Sequence, residues 1–180
     1  ESAVTIMEIN DEMDAGDIIV QERTSIGAEE SAGALLDRCA RRGAHLLNEM
    51  LLEEERRGEK LPRRSQDHTA ATYAPFLTTG LARVDWNKPA HLVAGHILGL
   101  DPRPGAYTHS GEIRIKVFSP RVTLDGGAPG EVLGVDEHGL VVACAENAVS
   151  LGELQFPSKR RLTAKAALTG HHLPAGARLE

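Results

Sequence analysis

Residues 3–26, AVTIMEINDEMDAGDIIVQERTSI, place an acidic loop between two runs of β-forming residues. Residues 3–9 are apolar enough to predict a buried strand, and residues 18–26 predict a second strand that ends in polar residues. The loop carries aspartates at every third position: Asp11, Asp14 and Asp17. The stretch therefore predicts strand, loop, strand, with a loop that is either simply solvated or holds one acid that takes part in chemistry.

A long amphipathic helix should follow the second strand. GAEES, residues 27–31, places Glu29 and Glu30 where the dipole of a beginning helix favours anions. Apolar residues then recur with a period near 3.6 up to EEERRG, where Gly58 is the expected stop. We interpret residues 1–60 as the end of an α/β domain. Because the chain enters a strand almost at once and without Met, we expect it to be the carboxy-terminal portion of a longer protein.

The remainder predicts a linker and a second domain. Residues 61–85 have weak periodicity and many helix-breaking residues, which is typical of an extended linker. A helix from about Asn87 to Leu100 should come next, with Asn87 as its cap and Pro89 in its first turn. Short alternating segments with turn signals then predict a small β-barrel, so that residues 86–180 form an OB-like domain with a short terminal helix.

Composition sets broad limits on function. The 180 residues carry a formal net charge of -6, and their two cysteines, Cys39 and Cys144, are too few for a disulfide framework and lack metal-ligand spacing. No apolar run approaches the roughly 18 residues of a membrane span. Residues 1–60 are acidic overall, whereas residues 61–180 are slightly basic. We expect a cytoplasmic monomer that binds neither a membrane nor a metal.

Several stretches together resemble the folate-dependent formyltransferase family. AVTIMEINDEMDAGDIIVQERTSI is similar to the closing part of its catalytic domain. TYAPFL, ARVDWNKPA and LGLDPRPGAYT, followed by a β-rich tail, resemble the linker and C-terminal domain of the methionyl-tRNA formyltransferases in particular. The resemblance runs from Val4 to Leu179. It implies transfer of a formyl group from 10-formyltetrahydrofolate to the α-amino group of methionyl initiator tRNA, for translation initiation.

The resemblance also implies a catalytic aspartate. The family uses an Asn, a His and an Asp, and its aspartate loop matches MDAGD here, which assigns the role to Asp14. A carboxylate there can accept or relay the proton that the attacking amine loses, and can hold the neighbouring His cationic. The backbone of the same loop would line the pterin end of the folate pocket: Asn10, Asp11, Glu12, Met13 and Asp14. The family's Asn, His and Ser-Leu-Leu-Pro segment are not found in this chain. The resemblance therefore implies that residues 1–60 are the end of a Rossmann-like catalytic domain, most of which is missing, and we expect the chain to be inactive alone.

Nucleic-acid binding is implied for the second domain. A run of basic residues in SKRRLTAK could grip phosphates through charge, without reading sequence. The candidates are Lys159, Arg160, Arg161 and Lys165, with Arg114 and Lys116 as weaker ones. Two alternatives remain open. One is a stand-alone RNA-binding or interaction module, which the acidic first part argues against. The other is a related folate-dependent formyltransferase that acts on a sugar nucleotide or a purine precursor.

Overall fold

The computed structural model describes all residues from 1 to 180, and the chain forms two compact units. The first unit comprises Glu1–Ala28 and Ala34–Phe76, and the second comprises Glu29–Gly33 and Leu77–Glu180. Only Leu46 and Met50 are buried apolar side chains of the first unit. The large apolar core belongs to the second unit.

The first unit is built on an antiparallel hairpin. Strand β1, Ser2–Met7, pairs with strand β2, Ile18–Thr24, in a register that sets Val4 opposite Glu22 and Met7 opposite Ile18. The strand, loop, strand prediction is thus confirmed. The β1–β2 pair with one helix does not amount to a recognisable Rossmann-like remnant, because a sheet of two antiparallel strands has no parallel crossover.

Helix α1, Ala32–Arg57, begins later than the acidic residues predict. Glu29 lies before the helix and belongs to the second unit, where its carboxylate is 3.7 Å from the Arg121 guanidinium. The first turn of α1 contains no acidic residue, so the expected dipole interaction is absent there. The end of the helix agrees with the prediction, since Gly58 follows Arg57 with a φ of 71°.

The beginning of the expected linker packs onto the hairpin. Arg64 exchanges two backbone hydrogen bonds with Ile18, at 2.8 and 2.9 Å. The Arg63 guanidinium donates to Glu8 at 2.8 Å and to Glu54 of α1 at 2.9 Å. Residues 61–67, which we call the clip segment, therefore belong structurally to the first unit. Further on, Tyr73 is 95% exposed.

The second unit consists of one antiparallel sheet and two helices. Its elements are α2 (Ala90–Leu100), β3 (Tyr107–Ser110), β4 (Ile113–Thr123), β5 (Val132–Val135), β6 (Leu140–Ala143), β7 (Ala148–Gln155), β8 (Leu162–Thr163) and α3 (Ala164–Gly170). The strand order is β3-β4-β7-β6-β5, and β8 pairs with β7.

The expected barrel is not closed. Strands β3 and β5 form the two ends of the strand order, and they do not pair with each other. Helix α2 packs against β4 and β7, while α3 packs against β7 and β8. These helices cover apolar surface that closure of the sheet would otherwise bury. The OB-like barrel is therefore corrected to a curled, open antiparallel sheet with helical cover.

Helix α2 starts without the predicted cap. Asn87 donates its backbone N–H to the Asp85 carboxylate at 3.1 Å, and Pro89 occupies the cap position without a side-chain bond. Nearby, Trp86 is buried and its indole N–H donates to Thr108 at 3.0 Å. None of the chain's helices combines the length and the apolar character needed to cross a membrane.

Candidate functional site

The acidic loop is closed at its base by a close backbone approach. The Glu8 N–H donates to the Asp17 carbonyl at 3.0 Å, which joins the two ends of the loop. A Cβ on Gly16 would lie 1.8 Å from the Glu8 carbonyl oxygen. Glycine is required here by this approach, and not by a sharp left-handed turn, because Gly16 is not among the residues with positive φ.

The residue with positive φ in this loop is Asp14. Its φ is 55°, a left-handed conformation that aspartate tolerates better than most residues. The Asp14 side chain is exposed, and no hydrogen bond or ion pair within the chain engages its carboxylate. A free carboxylate held on a constrained backbone is available to accept a proton or to pair with a cation from outside the chain.

An open cleft of about 390 Å³ lies along the same loop and is lined by residues 7–16. All five predicted folate-contacting residues belong to this lining: Asn10, Asp11, Glu12, Met13 and Asp14. Within it, Asn10 accepts a hydrogen bond from the Glu12 N–H at 3.0 Å. Ile9 and Met13 are 99% and 92% exposed. The cleft thus presents apolar side chains next to the free carboxylate of Asp14.

Sequence reasoning missed Gln66, which joins the clip segment to this loop. Its side-chain amide donates to the Asp14 carbonyl at 2.8 Å and to the Gly16 carbonyl at 2.7 Å. The Arg63 side chain beside it bridges Glu8 and Glu54. Hydrogen bonds from Arg63, and next from the Leu61 N–H, hold the pKa of Glu54 below its ordinary range. The sequence offered no signal for these contacts beyond the presence of polar residues in a segment without periodicity.

The predicted basic cluster of the second unit does not behave as one group. Lys159 and Arg160 are exposed, whereas Arg161 is about one-third exposed. The Arg161 guanidinium donates to Asp101 at 2.7 and 3.0 Å and to Glu153 at 2.6 Å, and it lies over the Phe118 ring at 4.0 Å. Burial acts to lower the pKa of Arg161, but hydrogen bonds to Asp101 and Glu153 raise it overall. Its charge is already balanced inside the unit.

The other predicted cations are partly engaged within the chain. Lys165 on α3 donates to the Glu137 carbonyl at 3.2 Å, and Lys116 donates to the Pro104 carbonyl at 2.7 Å. Arg114 lies over the Tyr107 ring at 3.7 Å, with a buried Nε that has no hydrogen-bond partner. The contacts within the chain do not show whether any of these residues binds a phosphate. Their assignment to nucleic-acid binding stays a prediction.

Two family models match separate parts of the chain. Residues 77–172 match the family described as "Formyl transferase, C-terminal domain", and residues 1–51 match the family described as "Formyl transferase". The chain belongs to the formyl transferase family.

Curated relatives cover almost the whole chain. A methionyl-tRNA formyltransferase from Citrifermentans bemidjiense is 36% identical over 176 residues, which are 98% of this chain and 55% of that protein. Another, from Bradyrhizobium diazoefficiens, is 38% identical over 182 residues, which are 99% of this chain and 57% of that protein. The chain thus spans little more than half the length of these relatives.

Solved structures share the fold at low sequence identity. HypX from Aquifex aeolicus in complex with tetrahydrofolic acid has a TM-score of 0.69 and 22% identity, covering 91% of this chain and 29% of that one. An N-formyltransferase from Helicobacter canadensis, in complex with folinic acid and dTDP-3-aminofucose, has a TM-score of 0.60 and 13% identity, covering 83% of this chain and 55% of that one. These likenesses show that the chain has a formyltransferase fold.

Proposed function

We propose that this chain is part of a methionyl-tRNA formyltransferase, an enzyme that transfers a formyl group from 10-formyltetrahydrofolate to the α-amino group of methionyl initiator tRNA. The observation that carries the proposal is the match to enzymes of that name along nearly the entire chain, at 36% identity in the first relative described. The match includes the second unit, and not only the acidic loop that contains Asp14.

Asp14 would be the catalytic residue that this chain contributes. The attacking amine must be neutral, and it loses a proton as the new amide bond forms. An exposed carboxylate without an internal partner can accept or relay that proton. It can also favour the cationic form of an adjacent histidine, which would come from outside this chain, and such a cation stabilises negative charge on the formyl oxygen.

The residues of the loop fit a folate molecule. A pterin ring is flat, carries several hydrogen-bonding groups and needs both apolar contact and backbone partners. The cleft lined by residues 7–16 supplies backbone groups together with the exposed Ile9 and Met13 side chains. When bound, 10-formyltetrahydrofolate supplies the formyl group. The role of this chain would be to line one end of the site and to hold Asp14 beside the reacting atoms.

Phosphate binding by the second unit would hold the tRNA. The exposed Lys159 and Arg160 are the strongest candidates, because neither side chain is hydrogen-bonded or ion-paired within the chain. Arg161 is a weaker candidate than the sequence predicts, because Asp101 and Glu153 occupy its donors. Lys165, Arg114 and Lys116 could add to the basic surface where their charged ends reach solvent.

The proposal is tested with the full-length protein encoded by the gene. Wild-type protein should formylate methionyl initiator tRNA in the presence of 10-formyltetrahydrofolate. Asp14→Asn should lower kcat at least about a thousandfold while leaving tRNA affinity within about twofold of wild type, because it removes the proton acceptor and not a binding group. Rapid formylation by Asp14→Asn would remove Asp14 from the mechanism. Formylation of a sugar nucleotide in place of the tRNA would replace the proposed substrate.

A further inference from the structure

Asp14 lies on the loop of the β1–β2 hairpin, and few hydrogen bonds within the hairpin hold this loop. The loop spans residues 8–17, and the Glu8–Asp17 backbone bond closes only its base. At its far side the loop has the short-range bond from the Glu12 N–H to Asn10. Because residues 9–14 are exposed, packing within the loop does little to fix the orientation of the Asp14 carboxylate.

Gln66 supports the loop from the clip segment, 52 residues further along the chain than Asp14. A primary amide has two N–H donors, and the Gln66 nitrogen lies within hydrogen-bond distance of two carbonyls on either side of Ala15 and, at 3.7 Å, of the Met7 sulfur. Both N–H donors of the amide are used, and two loop residues are tied to a single half-buried side chain. The contact therefore restricts the backbone at Asp14 directly, and not through a neighbouring side chain.

The clip segment itself is firmly attached. Arg64 is paired with Ile18 through both its backbone groups, and Arg63 reaches Glu8 and Glu54. The Arg63 side chain is only 18% exposed, so these ion pairs are better shielded from solvent than ordinary surface pairs. Glu8 is also the residue whose N–H closes the loop. Glu8 therefore both anchors the clip segment that carries Gln66 and closes the base of the loop.

We propose that Gln66 is a positioning residue for formyl transfer, which fixes the Asp14 backbone so that the carboxylate is aimed at the reacting amine. This inference rests on the proposed function, because it acts through Asp14. Catalytic groups misplaced by about 1 Å can lose about a hundredfold in rate, so a loop freed from these two bonds should lose turnover more than binding.

Substitutions of matched size separate positioning from simple packing. Gln66→Met keeps the length of the side chain and removes both donors, while Gln66→Glu keeps the shape but presents acceptors to carbonyls. Gln66→Lys restores donors on a chain that can reach both oxygens. Ser65→Ala, on the exposed neighbour, is the control.

In the full-length protein, we expect Gln66→Met and Gln66→Glu to lower kcat about tenfold to a hundredfold, with KM for methionyl-tRNA within about twofold of wild type. Gln66→Lys should recover most of kcat, and Ser65→Ala should match wild type. Lowering the pH should raise the activity of Gln66→Glu relative to Gln66→Met, because a protonated carboxyl becomes a donor. Hydrogen exchange of residues 9–16 should quicken in Gln66→Met and slow again in Gln66→Lys.

The outcomes distinguish the two proposals. If wild type formylates methionyl-tRNA and Asp14→Asn does not, but Gln66→Met keeps full kcat, the positioning role is overturned and the proposed function stands. A parallel loss of kcat and of tRNA binding in Gln66→Met, without rescue by Gln66→Lys, also overturns positioning, since it reports a structural defect. A wild-type protein that transfers no formyl group overturns the proposed function, and the positioning role of Gln66 falls with it.

Discussion

At the scale of single residues, the hydrogen-bond partners of a carboxylate set its environment. Asp14, Asp101 and Asp136 illustrate three outcomes. Asp14 has a free carboxylate, Asp101 is buried against Arg161, and Asp136 accepts three hydrogen bonds on one oxygen. The family resemblance pointed to Asp14, whereas no local pattern set Asp101 or Asp136 apart from surface acids.

Asp136 should make the stability of the second unit depend on pH. Burial acts to raise the pKa of Asp136, but hydrogen bonds from the Gly139 N–H, the Ser150 hydroxyl and the His138 N–H outweigh it and lower the pKa below its ordinary value of 3.8. A lowered folded-state pKa stabilises the fold above the unfolded value, and this contribution disappears as the pH falls through the folded value.

Asp136→Asn should therefore cost about 1 kcal/mol in the free energy of unfolding at pH 7, and the difference from wild type should shrink as the pH falls below 3.8 toward the lowered folded-state pKa. Urea denaturation followed by the fluorescence of Trp86, the single tryptophan of the chain, measures it. Asp125→Asn, at an exposed site, is the control and should have no effect. A cost that does not shrink as the pH is lowered through and well below 3.8 would show that the charge of Asp136 is not responsible.

At the scale of elements, the periodicity of apolar residues located the strands and helices. It did not locate the residues at which they begin and end, or the elements with which they pair. The alternation around Ile115 and Val117 predicted β4 because both side chains point into the core. Glu29 and Glu30 suggested an earlier start of α1, yet Glu29 faces Arg121, so a tertiary ion pair replaced the expected helix-dipole contact. The sequence of the clip segment predicts a linker, because its single short pairing with β2 requires no apolar alternation.

The loop between β1 and β2 tolerates no side chain at Gly16. Gly16→Ala would set a Cβ 1.8 Å from the Glu8 carbonyl oxygen. The Glu8 backbone would have to move, and this movement would disrupt the hydrogen bond from the Glu8 N–H to the Asp17 carbonyl. Under the proposed function, we expect kcat of the full-length protein to fall about a hundredfold, because the displaced loop carries Asp14.

Gly95→Ala is the matched control for this change. An added Cβ at Gly95 meets nothing within 4 Å, and alanine in the middle of α2 should stabilise the second unit by up to about 1 kcal/mol without changing formyl transfer. Steady-state kinetics and thermal melting of both variants check the pair. Equal activity of Gly16→Ala and wild type would contradict the link between the close approach and catalysis.

At the scale of the whole molecule, the cores and charges of the two units differ. The first unit buries two apolar side chains and leaves several others exposed, including Leu36, Leu51 and Leu52. The second unit holds a continuous core from Ala82 to Leu179. The acidic residues concentrate in residues 1–60, so long-range attraction of a polyanion such as tRNA should depend on the second unit.

Charge reversal at Lys159 and Arg160 together should weaken tRNA binding by the full-length protein and reduce the slope of log affinity against log salt by about two. Binding measured at several salt concentrations gives this slope. Lys88→Glu combined with Arg103→Glu changes the net charge equally at exposed sites outside the cluster. If both double variants lose the same affinity and slope, the effect belongs to net charge and not to the cluster.

The sequence by itself determined the order of strands and helices, the acidic loop with Asp14, the glycine that ends α1 and the family. These features depend on residues within a few positions of one another, or on a linear order of motifs. Only the tertiary structure decided that Gln66 holds the Asp14 loop, that Asp101 and Glu153 balance Arg161, and that helices cover an open sheet. Such contacts join residues as far apart as 60 positions, and they form only where the folded chain brings its polar groups within hydrogen-bond reach.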